Sequence, residues 1–205
     1  MQEFLPEGGL VRKLWLGEAD LYRDHLLRLD PESRRARFGG AVSDDFIANY
    51  VNVSLTVDAV LHGFFMNGSL RGVAELRAIR NAGDADAEAA FSIEQPWQSH
   101  GVGSVLLAHT LLAARNRGLR TLHMICLANN RRMQQLARKF DAELIFEYGS
   151  VIGEVESPYP TPLSVLRELA SDSAAFATAM LDVQSRLLKP EPVNRRPEEA
   201  HSDRP

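Results

Sequence analysis

The residues best suited to chemistry lie in one short turn between a predicted strand and a predicted helix. The apolar run 88–95 contains β-branched and aromatic residues, and Pro96 follows it, as is typical of a strand that ends in a turn. Residues 98–103, Gln-Ser-His-Gly-Val-Gly, come next and lead into a Leu- and Ala-rich segment that is typical of a helix. Glycines let the backbone approach a ligand, and unpaired N–H groups at a helix N-terminus bind anions. The spacing therefore predicts an anion site, and a diphosphate is the anion that suits it best.

Other glycine-rich phosphate motifs fit this turn poorly. A dinucleotide-binding fingerprint requires a third glycine three residues after the second, where Leu106 stands. A P-loop requires a Lys-Ser or Lys-Thr pair, and neither pair follows the turn. On this spacing alone, a tight strand-to-helix turn without a ligand is the alternative.

The pattern Gln-x-x-Gly-x-Gly after an apolar strand resembles the acyl-CoA-binding signature of the GNAT superfamily of N-acetyltransferases, [Gln/Arg]-x-x-Gly-x-[Gly/Ala]. The wider run 87–133 resembles the acetyltransferase domain of bacterial protein-lysine acyltransferases in particular. The resemblance covers residues 60–155, and the N-terminal third more loosely. It implies acetyl-CoA as co-substrate and direct attack by a primary amine in a ternary complex. The amine would belong to a protein lysine or to a small molecule.

The resemblance also implies which residues bind the cofactor. Main-chain N–H groups of residues 98–103 would hold the diphosphate, and the edge of the preceding strand would pair with the pantetheine amides. A backbone N–H near Ile93 would polarise the thioester carbonyl. In the family this strand parts from the next parallel strand, which leaves a V-shaped slot for the cofactor arm. The predicted cofactor-binding residues are Phe91, Ser92, Ile93, Gln98, Ser99, His100, Gly101, Val102, Gly103, Ser104, Asn130 and Arg132.

Some of these assignments have a structural alternative. Asn130 matches the family's asparagine that starts the next helix and reaches the cofactor arm, but it could simply cap that helix. Arg131 and Arg132 lie unfavourably for the helix dipole at its N-terminus, which a phosphate partner would offset; a solvated surface is the alternative. His100 stands where many relatives have Arg or Lys, so we expect main-chain groups to carry more of the binding.

Glu88 is the predicted general base. A lysine amine has an unperturbed pKa of ~10.4, so it arrives as an ammonium that a carboxylate must deprotonate, directly or through a water. The catalytic glutamate of protein-lysine acetyltransferases lies at the matching place in the central strand. Glu94, nearer the turn, is the rival, and a surface carboxylate is the alternative for Glu88. Many GNAT enzymes carry a general-acid tyrosine where this chain has Ala137, although a thiol of pKa ~8.5 leaves readily without one.

The composition excludes several classes of protein and of site. The 205-residue chain has 45% hydrophobic and 24% charged residues, as expected for one globular domain. A net charge of −4 argues against a nucleic-acid partner, and no apolar run is long enough to span a membrane. The single cysteine, Cys126, cannot form an internal disulfide, which favours a cytoplasmic location. Six histidines without ligand-like spacing predict no metal site.

The elements around the turn predict the fold. Strands are expected at 10–16, 57–66, 69–76, 88–95, 121–128, 143–148 and 151–156, and helices after Asp20, from Ser43, over 101–117, from Asn129 or Asn130, and from Thr161. Asn67-Gly68 predicts a two-residue hairpin turn, and the strand–helix–strand unit around the long helix predicts one parallel pairing. We expect an α/β (α+β) fold of GNAT type, with a mixed, mostly antiparallel central sheet and helices on both faces.

Two further segments leave alternatives open. The basic segment 33–40 is either a solvated loop or, by the resemblance, a border of the acceptor site that favours acceptors with carboxylates through Arg34, Arg35 and Arg37. The predicted organisation is a GNAT domain at 1–160, a C-terminal helical extension at 161–189 and a disordered tail at 190–205. The extension, one helix or two, could pack on its own domain or on a second subunit, which leaves a homodimer open. The alternative function is a non-catalytic acyl-CoA sensor acting through this extension.

Overall fold

The computed structural model describes residues 5–54, 59–79 and 85–187, in which seven strands form a single sheet of order β1-β2-β3-β4-β5-β7-β6. The pair β4–β5 is parallel and every other neighbouring pair is antiparallel. The predicted mixed, mostly antiparallel sheet is therefore confirmed, with its parallel step at the predicted place. The strands are β1 (Gly9–Lys13), β2 (Ala59–Met66), β3 (Ser69–Ala78), β4 (Asp86–Ile93), β5 (Thr121–Leu127), β6 (Glu143–Glu147) and β7 (Ser150–Glu156).

Helices cover both faces of the sheet, as predicted. Successive strand residues point to opposite faces, so Val73 packs with α1 and α3 while its neighbour Ala74 packs with α4. None of the described helices is apolar enough over a sufficient length to cross a membrane. The α-helices of the described chain are α1 (Ala19–Arg28), α2 (Pro31–Phe38), α3 (Asp44–Ser54), α4 (Val102–Asn116), α5 (Arg131–Lys139) and α6 (Pro162–Leu187).

Helix α2 corrects the sequence analysis, because the segment that includes 33–38 is helical rather than a loop. Asp30 caps the helix by accepting a hydrogen bond from the Ser33 backbone N–H (2.9 Å), and Pro31 occupies the first turn, where its missing donor is harmless. Its residues are exposed or half-buried as a whole, although the Arg37 side chain is only 7% exposed, and no apolar periodicity marks the helix in the sequence.

The C-terminal extension is one continuous helix, and one face of it packs on its own domain. Lys13 Nζ of β1 donates to Asp172 Oδ2 (2.9 Å), and Asn116 Nδ2 of α4 donates to Glu168 Oε2 (2.6 Å). Ala175 and Ala179 of α6 are buried. Apolar side chains elsewhere on α6 are exposed: Leu163, Leu166, Leu169, Phe176, Met180 and Leu181.

The remaining element boundaries differ from the sequence analysis by a few residues. Strand β1 ends at Lys13, and β4 ends at Ile93, which puts Glu94 just beyond the strand. The first two residues of the strand predicted at 57–66 lie outside the described residues, as does the tail predicted at 190–205.

A buried carboxylate ties the three N-terminal helices to the sheet. Glu75 on β3 is 2% exposed and accepts hydrogen bonds from Tyr22 Oη (2.8 Å), Tyr50 Oη (2.6 Å), Arg37 Nη2 (2.8 Å) and Arg77 Nε (2.6 Å). Tyr22, Arg37 and Tyr50 belong to α1, α2 and α3 in turn. Burial alone would raise the pKa of Glu75, but the charge of Arg37 and the hydrogen bond from Tyr50 lower it. The group is therefore ionised at neutral pH.

We expect Glu75→Gln to lower the free energy of unfolding by about 3–5 kcal/mol, because the variant leaves the buried Arg37 without its countercharge. Asp44→Asn is the matched control, since its pair with Arg34 is exposed and contributes at most ~1 kcal/mol. Urea unfolding followed by circular dichroism at pH 7 measures both. Equal losses in the two variants would contradict the role of Glu75.

Wild type and Glu75→Gln also test the lowered pKa of Glu75 at acid pH. A carboxylate whose native pKa is lowered stabilises the fold above its unfolded-state pKa of ~4.3, and this stabilisation is lost as the pH falls below that value. The difference in unfolding free energy between wild type and Glu75→Gln should therefore shrink as the pH falls from 5 towards 3. A difference that stays constant over this range would contradict the lowered pKa.

Candidate active site

The central feature is the place where β4 and β5 part. The two strands pair at Asp86↔Thr121, Ala87↔Leu122 and Glu88↔His123, and no later pair joins them in the described chain. Each strand nevertheless continues, β4 to Ile93 and β5 to Leu127. Residues 89–93 of β4 therefore present backbone N–H and C=O groups along an edge that β5 does not cover. The V-shaped slot that the resemblance implies is present in the structure.

A cavity of ≈ 1000 Å³ opens between the parted strands and the helices beside them. This volume lies at the upper end of the range for small-molecule sites, about 300–1,000 Å³, and suits a ligand of nucleotide-cofactor size. Of the predicted cofactor-binding residues, those that line the cavity are Phe91, Ser92, Ile93, Gln98, Ser99, Gly101, Gly103, Ser104, Asn130 and Arg132. His100 and Val102 are not part of the lining. His100 is exposed, and Val102, the first residue of α4, is buried in the core.

The turn that enters α4 has the geometry of an anion site. Ser99 and Gly101 have φ of 62° and 80°, and Gly101 is the residue that precedes the helix. The first bonds of the helix run from Ser104 N and Val105 N to Gly101 O (3.0 and 3.2 Å). The amides before Ser104 belong to the part of a helix start that lacks intrahelical acceptors. They lie on the stretch that contributes Ser99, Gly101 and Gly103 to the cavity wall.

Gln98 fixes this turn through its side chain. Its Nε2 donates to Ile93 O of β4 (2.8 Å) and to Ser33 Oγ of α2 (2.9 Å). Its Oε1 accepts a hydrogen bond from Arg132 Nη1 of α5. The signature glutamine therefore joins the three elements that surround the cavity, and Ser33 is a partner that the sequence analysis did not identify.

Helix α5 supplies the opposite wall. Asn130 Oδ1 accepts from Met133 N (3.1 Å), so the capping role of Asn130 is present, and the same residue also lines the cavity. The cavity lining contains five cationic side chains against the carboxylates of Asp30 and Glu32. An excess of cations favours an anionic ligand, although the whole chain has a net charge of −4. The five are Arg35, Arg37, Arg131, Arg132 and Lys139.

The three arginines proposed for the acceptor border have different surroundings. Arg34 is bound to Asp44 Oδ1 (2.7 Å) and Leu27 O (2.9 Å) and does not line the cavity. Arg37 lines the cavity, but its guanidinium also donates to Glu75. Arg35 is exposed and lines the cavity, which makes it the best placed of the three to meet an acceptor carboxylate.

The carboxylate of Glu94 is held by three cationic or neutral donors. It accepts from Arg28 Nε (3.0 Å) and Arg71 Nη1 (2.8 Å), and His25 Nδ1 lies 3.3 Å from its Oε1. Burial alone would raise the pKa of Glu94, but the hydrogen bonds from His25 and Arg71 and the charge of Arg28 lower it to about 2. A carboxylate stabilised in this way is a weak proton acceptor, and Glu94 does not line the cavity. The lowered pKa argues against Glu94 as a direct base.

Glu88 lies at the closed end of the parting. It is the last residue of β4 that pairs with β5, where it lies opposite His123, and it also pairs with Arg77 of β3. Its side chain is exposed. It does not line the cavity, so contact with a substrate would require an acceptor or a water at the exposed side of the sheet. The assignment of Glu88 as base stays a prediction.

Residue His25 was missed by the sequence analysis. It is fully buried on α1, and its Nε2 lies 2.9 Å from Ser92 Oγ on the cavity wall. The signal in the sequence was a histidine on the apolar face of a predicted helix, between Tyr22 and Leu29. A polar side chain on that face needs a buried partner, but its partner is 67 residues away and could not be identified from the sequence.

The comparisons with known proteins agree with this geometry. A family model described as the Acetyltransferase (GNAT) family matches residues 24–142. The acetyltransferase PA5475 of Pseudomonas aeruginosa is 28% identical over 134 residues, which cover 62% of this chain and 70% of that protein. The GNAT domain of PAT from S. lividans shares 25% identity with a TM-score of 0.64, and the match covers 71% of this chain and 89% of that one.

A further solved structure shares the fold at lower identity. YncA, a putative acetyltransferase from Salmonella typhimurium solved with its cofactor acetyl-CoA, has a TM-score of 0.57 at 13% identity. The match covers 75% of this chain and 96% of that one. With the family model matching more than half of its residues, this chain belongs to the GNAT family of acetyltransferases.

Proposed function

We propose that the chain transfers an acetyl group from acetyl-CoA to a primary amine, of a protein lysine or of a small molecule, by direct attack in a ternary complex. The observation that carries this proposal is the parting of β4 and β5 beside the turn at 98–103, in front of a cavity with basic walls. Membership of the GNAT family supports the acetyl transfer.

The cofactor would bind along three parts of the cavity. The backbone edge of residues 89–93 offers hydrogen bonds to the pantetheine amides, in the manner of an added strand. The amides of 99–103 face the diphosphate, and Arg132, which Gln98 holds in place, lies within reach of the phosphates. The thioester would then lie near Ile93, where one backbone N–H can stabilise the charge that develops on the carbonyl oxygen.

The acceptor would approach the thioester as an ammonium. Orientation of the two reactants in one cavity can contribute roughly 7–11 kcal/mol to the acceleration. Glu88 would take the first proton of the ammonium at the exposed end of the parting, directly or through a water, and release it to solvent. Arg35 on α2 would attract an acceptor that carries a carboxylate near its amine.

Binding of acetyl-CoA is tested by two glycine variants, one just before α4 and one just after it. Gly101→Ala and Gly118→Ala each place a side chain on a left-handed residue, with φ of 80° and 71°, so each should cost about 1–2 kcal/mol of stability. Only Gly101 lines the cavity; Gly118 follows the far end of α4. We expect calorimetry to show acetyl-CoA bound about tenfold or more weakly by Gly101→Ala, since an amide–phosphate contact contributes ~1.5–3 kcal/mol, and unchanged by Gly118→Ala. Equal affinities in the two variants would contradict the proposed diphosphate site.

Transfer is tested by Glu88→Gln. The variant should lower kcat at pH 7 about 100-fold while binding acetyl-CoA normally, and the deficit should shrink as the pH rises towards the amine pKa of ~10.4. Glu156→Gln, which removes an exposed strand carboxylate on β7, should keep the wild-type kcat. Release of free thiol over a panel of amines that includes lysine peptides measures both.

The outcomes of this assay separate the two functions. Unchanged transfer by Glu88→Gln to every amine would remove Glu88 as the base but leave the transferase in place. Binding of acetyl-CoA by the wild type with no transfer to any amine would overturn the transferase and favour an acyl-CoA sensor.

A further inference from the structure

A hydroxyl, an imidazole and a carboxylate form a continuous row that starts on the cavity wall. Ser92 lines the cavity, its Oγ lies 2.9 Å from His25 Nε2, and His25 Nδ1 lies 3.3 Å from Glu94 Oε1. The exposed fractions of the three residues are 5%, 0% and 7%. The row therefore connects the cavity to a buried imidazole that solvent does not reach.

The charge of Glu94 fixes the direction of the hydrogen bonds. With a pKa of about 2, Glu94 is ionised at neutral pH and can only accept, so His25 Nδ1 must carry the hydrogen. His25 is neutral, because burial lowers its pKa, and its Nε2 therefore holds a lone pair. Ser92 donates its hydroxyl hydrogen to this lone pair. The oxygen of Ser92 then has lone pairs left to accept from a donor in the cavity.

The groups around the row let it hold a proton briefly. If Nε2 becomes protonated, the imidazolium lies beside the ionised Glu94, which stabilises it. Arg28 and Arg71 keep that carboxylate charged, and the charge of Arg28 opposes a long-lived imidazolium. A site that accepts a proton and readily returns it has the property that a relay needs.

We propose that Ser92 is a catalytic residue that passes a proton from the attacking amine to the departing thiolate, with His25 and Glu94 as the residues that position and activate it. The proposal rests on the acetyl transfer proposed above. It adds to that reaction a second proton path, separate from Glu88, at the reacting atoms themselves.

The reaction needs two proton paths because an ammonium loses two protons on its way to an amide. Glu88 releases the first to solvent, which leaves the neutral amine. The N–C bond then forms, and the nitrogen of the tetrahedral intermediate carries the second surplus proton. Ser92 Oγ accepts this proton while its own hydrogen moves to His25 Nε2, and the C–S bond breaks with its electron pair on sulfur.

The thiolate then takes the proton back through Ser92, since a thiol pKa of ~8.5 exceeds that of an imidazolium, ~6.5. The products are the amide, the thiol of CoA and one solvent proton, so the charges balance. This path also supplies a general acid, which Ala137 on α5 cannot provide because its side chain has no proton to donate.

The positions of Ser92 and Glu88 on β4 explain why the two residues accept different protons. They lie four residues apart on one strand, which places their Cα atoms ~13 Å from each other and on the same face. Ser92 lines the cavity in the open part of the parting, whereas Glu88 lies at its closed, exposed end. Glu88 can therefore meet an incoming ammonium, and Ser92 can meet the intermediate.

The test compares Ser92→Ala, Ser92→Thr and His25→Gln in full-length protein with the same amine and acetyl-CoA. Ser92→Ala and His25→Gln should each lower kcat about 100-fold with KM for acetyl-CoA within about twofold of wild type, and the double variant should be no worse than either single one. Ser92→Thr keeps the hydroxyl and should recover most of the rate. Tyr22→Phe, which removes a buried hydroxyl of α1 that bonds Glu75 rather than a residue of the row, is the matched control and should keep the wild-type kcat.

The pH profile distinguishes the relay from Glu88 and from a structural effect. The Ser92→Ala deficit should persist as the pH rises towards the amine pKa, because an amine that is already neutral still brings the surplus proton to the tetrahedral nitrogen when the N–C bond forms, whereas the Glu88→Gln deficit should shrink. A Ser92→Ala protein with the kcat of an active wild type would overturn the relay alone. Acetylated Ser92 accumulating in mass spectra would also overturn it, in favour of an acyl-enzyme. A wild type that acetylates no amine would overturn the transferase and the relay together.

Discussion

The open backbone edge of β4 is the constraint on which the site depends. Backbone N–H and C=O groups need hydrogen-bond partners. Where two parallel strands part, each strand must therefore be held by the neighbour on its other side. Strand β5 is paired along its length with β7, from Thr121↔Glu156 to Leu127↔Ser150. Strand β4 is paired with β3 as far as Gly72↔Ile93. Each strand is therefore fixed by its outer neighbour, and the inner edges can separate without loss of the sheet. The unpaired edge is then available to a ligand that itself offers amides.

Buried charge positions the helices that surround this edge. Helices α1, α2 and α3 send Tyr22, Arg37 and Tyr50 to the one carboxylate of Glu75, and Arg28 of α1 binds Glu94 just past β4. Directional bonds of this kind fix where a helix sits along a strand more narrowly than apolar packing does. For α2 the bond from Arg37 to Glu75 adds to the packing of Phe38 against the core beneath α1 and α3. The position of Ser33 and Arg35 on the cavity wall follows from this attachment.

The sequence was sufficient for those features whose signal is local. The Asn67-Gly68 turn, the strand–turn–helix unit at 86–116 and the capping by Asn130 each depend on residues within one or two turns of each other. It was insufficient for α2, whose arginines give no apolar face, and whose Asp30-Pro31 start looks like the end of the helix before it. It was also insufficient for the neighbours of Ser92 and Glu94, because His25 and Arg71 come from distant parts of the chain that only the fold brings together.

The low pKa of Glu94 shows how one physical property excludes a residue from one role and suits it to another. Three donors stabilise its negative charge, and for that reason it does not take a proton from an amine near neutral pH. The same permanent charge fixes the tautomer of His25 and leaves Nε2 free to accept from Ser92. A carboxylate with an ordinary pKa, exposed to solvent, would not hold that tautomer so firmly. Glu88 is exposed and has no comparable set of donors in the described chain, and it is the residue proposed to pass a proton to water. The two carboxylates at the two ends of β4 thus differ in chemistry because they differ in burial and in the donors around them.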